Sequence, residues 1–152
     1  MEVKAQAKVA VGIKRLWNAL TKGLRSVVPK AAPNLVSHVE VIEGDGGLGT
    51  VFLFNFCSGV STMRYQKEKI VELDESQHQI TLEVLEGGHL NIGFSSYKTT
   101  FQLIADEEEK TQINIKVSYE SEMEENTSPS KTTASALAFI SFLESYLLSG
   151  AA

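Results

Sequence analysis

Apolar residues alternate with polar ones through most of the middle of the chain and switch to three- and four-residue spacing towards both ends. Runs at 36–43, 50–57, 62–72, 78–86, 93–104 and 111–120 are rich in β-branched and aromatic residues and read as strands. A weaker alternation predicts one more strand near residues 2–11. Ile13, Leu16, Trp17, Leu20 and Leu24 have amphipathic helical spacing, weakened by Gly23, and a short second helix over 26–32 is stopped by Pro33. Ser128 suits an N-cap and Pro129 the first helical position. Beyond them Leu137, Ile140, Leu143 and Leu147, with Phe139, Phe142 and Tyr146, repeat at helical intervals, predicting a helix of about twenty residues that ends at Gly150. Short turns at Ser58-Gly59, Asp74-Glu75-Ser76 and Asp106-Glu107-Glu108 favour an antiparallel meander over βαβ units. The expected fold class is α+β, a single domain over residues 1–152. In it a curved seven-stranded antiparallel sheet wraps the long C-terminal helix, and two short helices fill the open end.

Gly44-Asp45-Gly46-Gly47-Leu48-Gly49 matches the dinucleotide pattern G-x-G-x-x-G. A strand enters it, but the β-branched and aromatic run from Thr50 to Phe56 follows, where the fingerprint needs a helix N-terminus to hold a pyrophosphate. The stretch is therefore expected to be a hairpin turn, with Asp45-Gly46 and Gly47 supplying positive φ angles.

Splitting each strand into faces leaves one strand unsorted. Ile80, Leu82 and Val84 face inward from 78–86, and Ile113, Ile115, Val117 and Tyr119 from 111–119. Around residue 66, however, Arg64, Gln66, Glu68 and Ile70 share one face, so an inward Ile70 carries Gln66 and Glu68 with it. A buried carboxylate is costly unless paired, protonated or wetted, which a solvated cavity would relieve. Water at a twisted sheet edge would relieve it equally. The small residues of Thr132-Thr133-Ala134-Ser135-Ala136-Leu137-Ala138 leave either close packing or a void beside the sheet. Tyr97, Thr99 and Phe101 on one strand face, with His89 and Asn91 nearby, fit a mostly apolar pocket with a few polar anchors.

The net charge of -5 is spread along the chain, with no basic footprint for nucleic acid. No run reaches the roughly eighteen apolar residues of a membrane span, the opening MEVKAQAKVAVGIKRLW lacks a signal-peptide core, and Cys57 is the only cysteine. A reducing, intracellular setting follows, cytoplasmic or also nuclear. His38, His78 and His89 show no ligand spacing and no nucleophile motif appears, so neither metal nor cofactor is expected. Glu68 is suited to general-base work if desolvated, yet no catalytic constellation surrounds it.

The segments VVPKAAPNLV, EGDGGLGTVFLFNF, YQKE, EGGHLNIGFSSYKTTF, INIKVSYE and SPSKT, in this order across nearly the whole chain, resemble the plant cytokinin-specific or phytohormone-binding proteins. These are a branch of the birch-pollen-allergen and class-ten pathogenesis-related superfamily. The resemblance implies the same helix-gripping sheet with an internal cavity. It also implies reversible binding of a small plant hormone, of the cytokinin or gibberellin class, or of a related hydrophobic metabolite, by a reservoir, carrier or sensor. Gln66 and Glu68 correspond to the family's inward hydrogen-bonding pair. His89, Tyr97, Phe101, Ala136, Leu137 and Phe139 complete the expected ligand-binding set. Where relatives have tyrosine this chain has His89, Ser96 and Phe139, and where they have threonine it has Ala136, so hydroxyl anchors are lost and ligand preference shifts. Enzymes of alkaloid and terpenoid pathways in the superfamily, and hormone receptors acting through a protein partner, are the alternatives. Lys98 and Lys116 fall on outward faces, which argues against an amine-based mechanism, and no enzyme activity is expected.

Overall fold

The computed structural model describes residues 1–58, 64–91, 93–121 and 129–150. Strands β1 (Glu2–Val9), β2 (Val36–Glu43), β3 (Val51–Phe56), β4 (Tyr65–Asp74), β5 (Gln79–Gly87), β6 (Phe94–Glu107) and β7 (Lys110–Ser121) form one sheet in the order β1-β7-β6-β5-β4-β3-β2. All neighbours pair antiparallel. β1 and β2 follow one another in the chain yet lie at opposite edges. Helices α1 (Ile13–Leu20) and α2 (Leu24–Ala31) make that crossing, and α3 (Pro129–Leu148) packs against β1, β7, α1 and α2. The fold class read from the sequence is the observed one. The Ser128 cap, Gly59 of the first turn and the first two residues of the 62–72 run lie outside the described residues.

The alternation decides the core. Ile70, Ile80, Leu82, Val84, Ile113, Ile115, Val117 and Tyr119 are buried on the concave face, and Lys98 points out into solvent. β1 alternates weakly because its inward residues Val3, Ala5 and Ala7 are small and only half-buried against the core. α2 begins two residues earlier than the sequence suggests and holds Pro29 inside it. It starts where Gly23 accepts from the Val27 N–H at 2.7 Å, and it ends where the Ala32 N–H bonds Val28 at 3.0 Å.

α3 is tied at both ends. Near its start the Tyr97 hydroxyl donates to the Thr132 carbonyl at 2.6 Å. Near its end Arg15 Nη2 donates to the Leu147 carbonyl at 2.5 Å, and the Ala10 N–H donates to Glu144 Oε2 at 2.9 Å. Between these ties Ala136, Ile140, Leu143 and Leu147 form the buried stripe, at the three- and four-residue spacing expected of a core-facing helix.

The GDGGLG stretch joins β2 to β3, strand to strand, and presents no helix N-terminus. Gly46 has the expected positive φ (102°), but Asp45 and Gly47 do not, and the other positive angles lie at Gly44 (96°) and Gly49 (88°). The loop folds around buried Thr50, whose hydroxyl accepts the Gly46 N–H at 2.8 Å and leaves no room beside Gly44. A Cβ on Gly44 would lie 2.6 Å from Thr50 Oγ1, whereas one on Gly46 would meet nothing within 4 Å. Gly44→Ala should therefore cost about 2–3 kcal/mol and Gly46→Ala, with backbone strain alone, about 1 kcal/mol. Denaturant unfolding of the two variants checks this, and equal losses would refute the role given to Thr50.

Candidate functional site

Between the concave face of the sheet, α2 and α3 lies a cavity of about 340 Å³. That volume is at the lower end of the range of small-molecule sites. Its wall is largely apolar, with Val28, Phe54, Leu82, Phe101 and Phe139 among the lining residues. Six polar residues interrupt it: Gln66, Glu68, His89, Tyr97, Thr99 and Ser135.

Gln66 organises the polar wall. β4 is pinned between β3 and β5, with Gln66 opposite Phe54 and Gly87, so its side chain points inward and is 8% exposed. After β5 the chain turns through Gly87 (φ 72°) and Gly88 (φ 48°) into a short 3-10 turn, Gly88–Asn91. A Cβ on Gly88 would fall 1.9 Å from Gln66 Oε1, so only glycine lets this turn close over the amide. There Gln66 Oε1 accepts the backbone N–H of His89 at 3.1 Å. That bond fixes which end of the amide is oxygen. His89 Nδ1 lies 2.8 Å from the same oxygen and must therefore carry a proton. Burial pulls the imidazole pKa down to about 4, so the ring is neutral near pH 7 and Nε2 holds a lone pair, 3.4 Å from Ser135 Oγ. The ring cannot swing, because it stacks on Tyr97 with centroids 3.9 Å apart and planes 11° from parallel.

Glu68 lies two residues along the same face and lines the cavity. Burial raises its pKa to about 7, against the opposing effect of a hydrogen bond from the Gln66 side chain. Near neutrality it is a carboxyl that exchanges its proton with little cost in either direction, the property required of an acid–base group. Burial, and next the charge of Glu68, push the Tyr97 phenol above its usual range, so it stays protonated and serves as the donor to Thr132.

Phe101 and Phe139 meet in the cavity wall as a tilted aromatic pair, ring centroids 6.0 Å apart, and Ala136 also lines the cavity. Leu137 is corrected: it packs against the hydrophobic core and is not in the lining, since it follows Ala136 by one residue and so faces about 100° away around the helix. Ser96 is exposed, so the tyrosine lost there is no loss to the cavity. Ser135, read from the sequence only as one of the small residues beside a possible void, and Phe142, read only as part of the helical repeat, both line the cavity from α3, one heptad apart. The seven-residue offset from Phe142 was the available signal. Among the described residues no cluster of His, Cys, Asp and Glu could hold a metal ion.

Glu68 and His89 set opposite pH dependences of stability. Glu68, raised from 4.5 to about 7, adds stability below pH 4.5 that is lost as pH rises to 7, by up to about 3 kcal/mol. His89, lowered from 6.5 to about 4, contributes stability above pH 6.5 that is lost as pH falls through 4. Glu68→Gln removes only the first. The variant should match the parent near pH 4.5 and exceed it in melting temperature above pH 7, and a gap that does not vary with pH would refute the burial of this carboxyl.

Residues 1–150 match the model of the Pathogenesis-related protein Bet v 1 family. Norbelladine synthase of Narcissus pseudonarcissus is 32% identical over 129 residues, covering 84% of this chain and 79% of the relative. Major pollen allergen Bet v 1-C of Betula pendula is 28% identical over 137 residues, covering 88% and 85%. Among solved structures, norcoclaurine synthase from Thalictrum flavum in complex with dopamine and hydroxybenzaldehyde superposes with a TM-score of 0.79 at 24% identity, over 98% of this chain and 87% of that one. The expectation of no enzyme activity is corrected by the first of these, a synthase alike over most of both chains. Outward lysines do not exclude acid–base chemistry in the cavity, whose wall carries the carboxyl of Glu68. None of the described helices is long and apolar enough to cross a membrane. The chain belongs to the Pathogenesis-related protein Bet v 1 family.

Proposed function

We propose that the protein is a cavity enzyme of specialised metabolism that condenses a small aromatic amine with an aldehyde, with Glu68 as the acid–base group. The observation that carries this reading is a carboxyl in a largely apolar cavity wall, held by burial at a pKa of about 7. The similarity to norbelladine synthase supports an enzyme, and the amine and aldehyde named with norcoclaurine synthase supply the substrate class.

In the condensation the amine nitrogen attacks the carbonyl carbon while a proton moves to the carbonyl oxygen, giving a carbinolamine. Loss of water then takes a proton onto the hydroxyl and removes one from nitrogen, leaving an imine. Each step moves a proton to oxygen and takes one from nitrogen, so a single carboxyl of pKa about 7 serves both directions. Gln66 orients it and supplies a hydrogen bond to its charged form. The apolar wall excludes the water that would reverse the imine. Hormone binding, implied by the resemblance, would use the same Gln66–Glu68 pair, and a cytoplasmic or nuclear setting remains part of this proposal.

The test combines dopamine and 4-hydroxybenzaldehyde with the protein at pH 7, traps the imine with cyanoborohydride, and measures the secondary amine by mass spectrometry. Acceleration over buffer is expected, with Glu68→Gln slowing it by about 100-fold or more. The rate should change with pH through about 7, where Glu68 titrates. No acceleration with any of a panel of amine–aldehyde pairs, alongside saturable calorimetric binding of cytokinins or gibberellins, would overturn the enzymatic reading.

A further inference from the structure

The cavity holds a second polar pair that the proton transfers above do not use. His89 Nε2, with its lone pair, and Ser135 Oγ face each other at 3.4 Å, one on the turn after β5 and the other on α3. That is long for a hydrogen bond to a hydroxyl donor, which prefers about 2.8 Å. Both residues line the cavity. Two polar atoms at this separation leave a third position from which one oxygen atom reaches both at about 2.8 Å.

The chemistry of the pair limits what that third atom can be. Nε2 only accepts, because Nδ1 carries the ring proton and is held by Gln66 Oε1 at 2.8 Å. The Ser135 hydroxyl, freed from Nε2, donates. A group that gives one hydrogen bond and receives one satisfies both, which describes a hydroxyl. A carboxylate would meet the lone pair with no proton to offer, and an ammonium could not accept from serine. The neighbouring wall is aromatic, with Phe101, Phe139 and Phe142, so the hydroxyl is best carried on a flat ring. The acceptor is also rigid, fixed by the stacked Tyr97 and by the amide of Gln66.

We infer that His89 Nε2 and Ser135 Oγ together form a phenol-binding subsite, so that the cavity selects aromatic substrates bearing a ring hydroxyl. The inference rests on the amine–aldehyde reading for the identity of the aromatic partner. The hydroxyl donates to Nε2 and accepts from Oγ, and the rest of the molecule extends along the apolar wall towards Glu68.

Calorimetric titration with tyramine and phenethylamine, which differ only in the ring hydroxyl, tests the subsite without requiring turnover. Tyramine is expected to bind about tenfold more tightly or better, as for loss of one hydrogen bond to a buried group. Ser135→Ala and His89→Phe should each bring the ratio to within about twofold. His89→Phe keeps a ring against Tyr97, and Ser135→Ala changes one exposed side chain, so the second remains informative if the first does not fold. Equal affinities in the parent protein, no binding of either amine, or a preference that survives Ser135→Ala would overturn the subsite. Absence of imine formation with the tyramine preference intact would overturn the condensation alone.

Discussion

One amide decides the chemistry of the cavity. Gln66 Oε1 receives the backbone N–H and the Nδ1–H of His89, and the same side chain hydrogen-bonds Glu68. If the amide were reversed, two N–H groups would face each other and the imidazole would have to change tautomer. The backbone bond makes that reversal costly, because a buried donor would lose its partner. Gly88 is the residue that permits the arrangement, since any side chain there would displace the amide.

The cavity itself follows from how α3 is fastened. Tyr97 holds the start of the helix to β6, and Arg15 and Glu144 hold its end to the α1 side of the molecule. Between these ties the first half of the helix borders the cavity with Ser135, Ala136 and Ala138. Those short side chains leave the space that bulky residues would fill, while Phe101 and Phe139 meet in its wall as a tilted aromatic pair with centroids 6.0 Å apart. Buried tyrosines usually find a partner for their hydroxyl. Here the partner is a main-chain carbonyl of the helix, so Tyr97 is a strut of the cavity as well as part of its wall.

The strands and the long helix were legible because their apolar periods are unambiguous, and the inward turn of Gln66 and Glu68 followed from Ile70 on the same face. Helix α2 starts earlier than its apolar spacing suggests because Leu24 fits the stripe of the first helix, whereas the chain breaks at Gly23 and α2 opens on Leu24. Beyond Gly46, the positions of positive φ in the glycine loop were not legible, since they depend on the loop folding around the hydroxyl of Thr50. Leu137 was misplaced because helical spacing identifies a stripe but not which of two adjacent residues borders a void. Ser135 was legible only as a small residue, for a related reason: its polar role depends on His89, 46 residues away in sequence and 3.4 Å away in space.

Burial acts on the acid and the base of this cavity in the same sense, towards the uncharged form. Glu68 is raised to about 7 and His89 lowered to about 4, so between those values both are neutral. A carboxyl and an imidazole in direct contact would instead exchange a proton and form an ion pair, each stabilising the other's charge. Gln66 stands between them. Its oxygen faces the histidine and its hydrogen bond to Glu68 serves the acid, so each group meets a neutral amide rather than the other charge. The spacer thus keeps a proton-donating acid and a lone-pair acceptor together in one apolar chamber. Neither is consumed by the other, and each remains free for a neutral molecule that brings its own donor and acceptor groups.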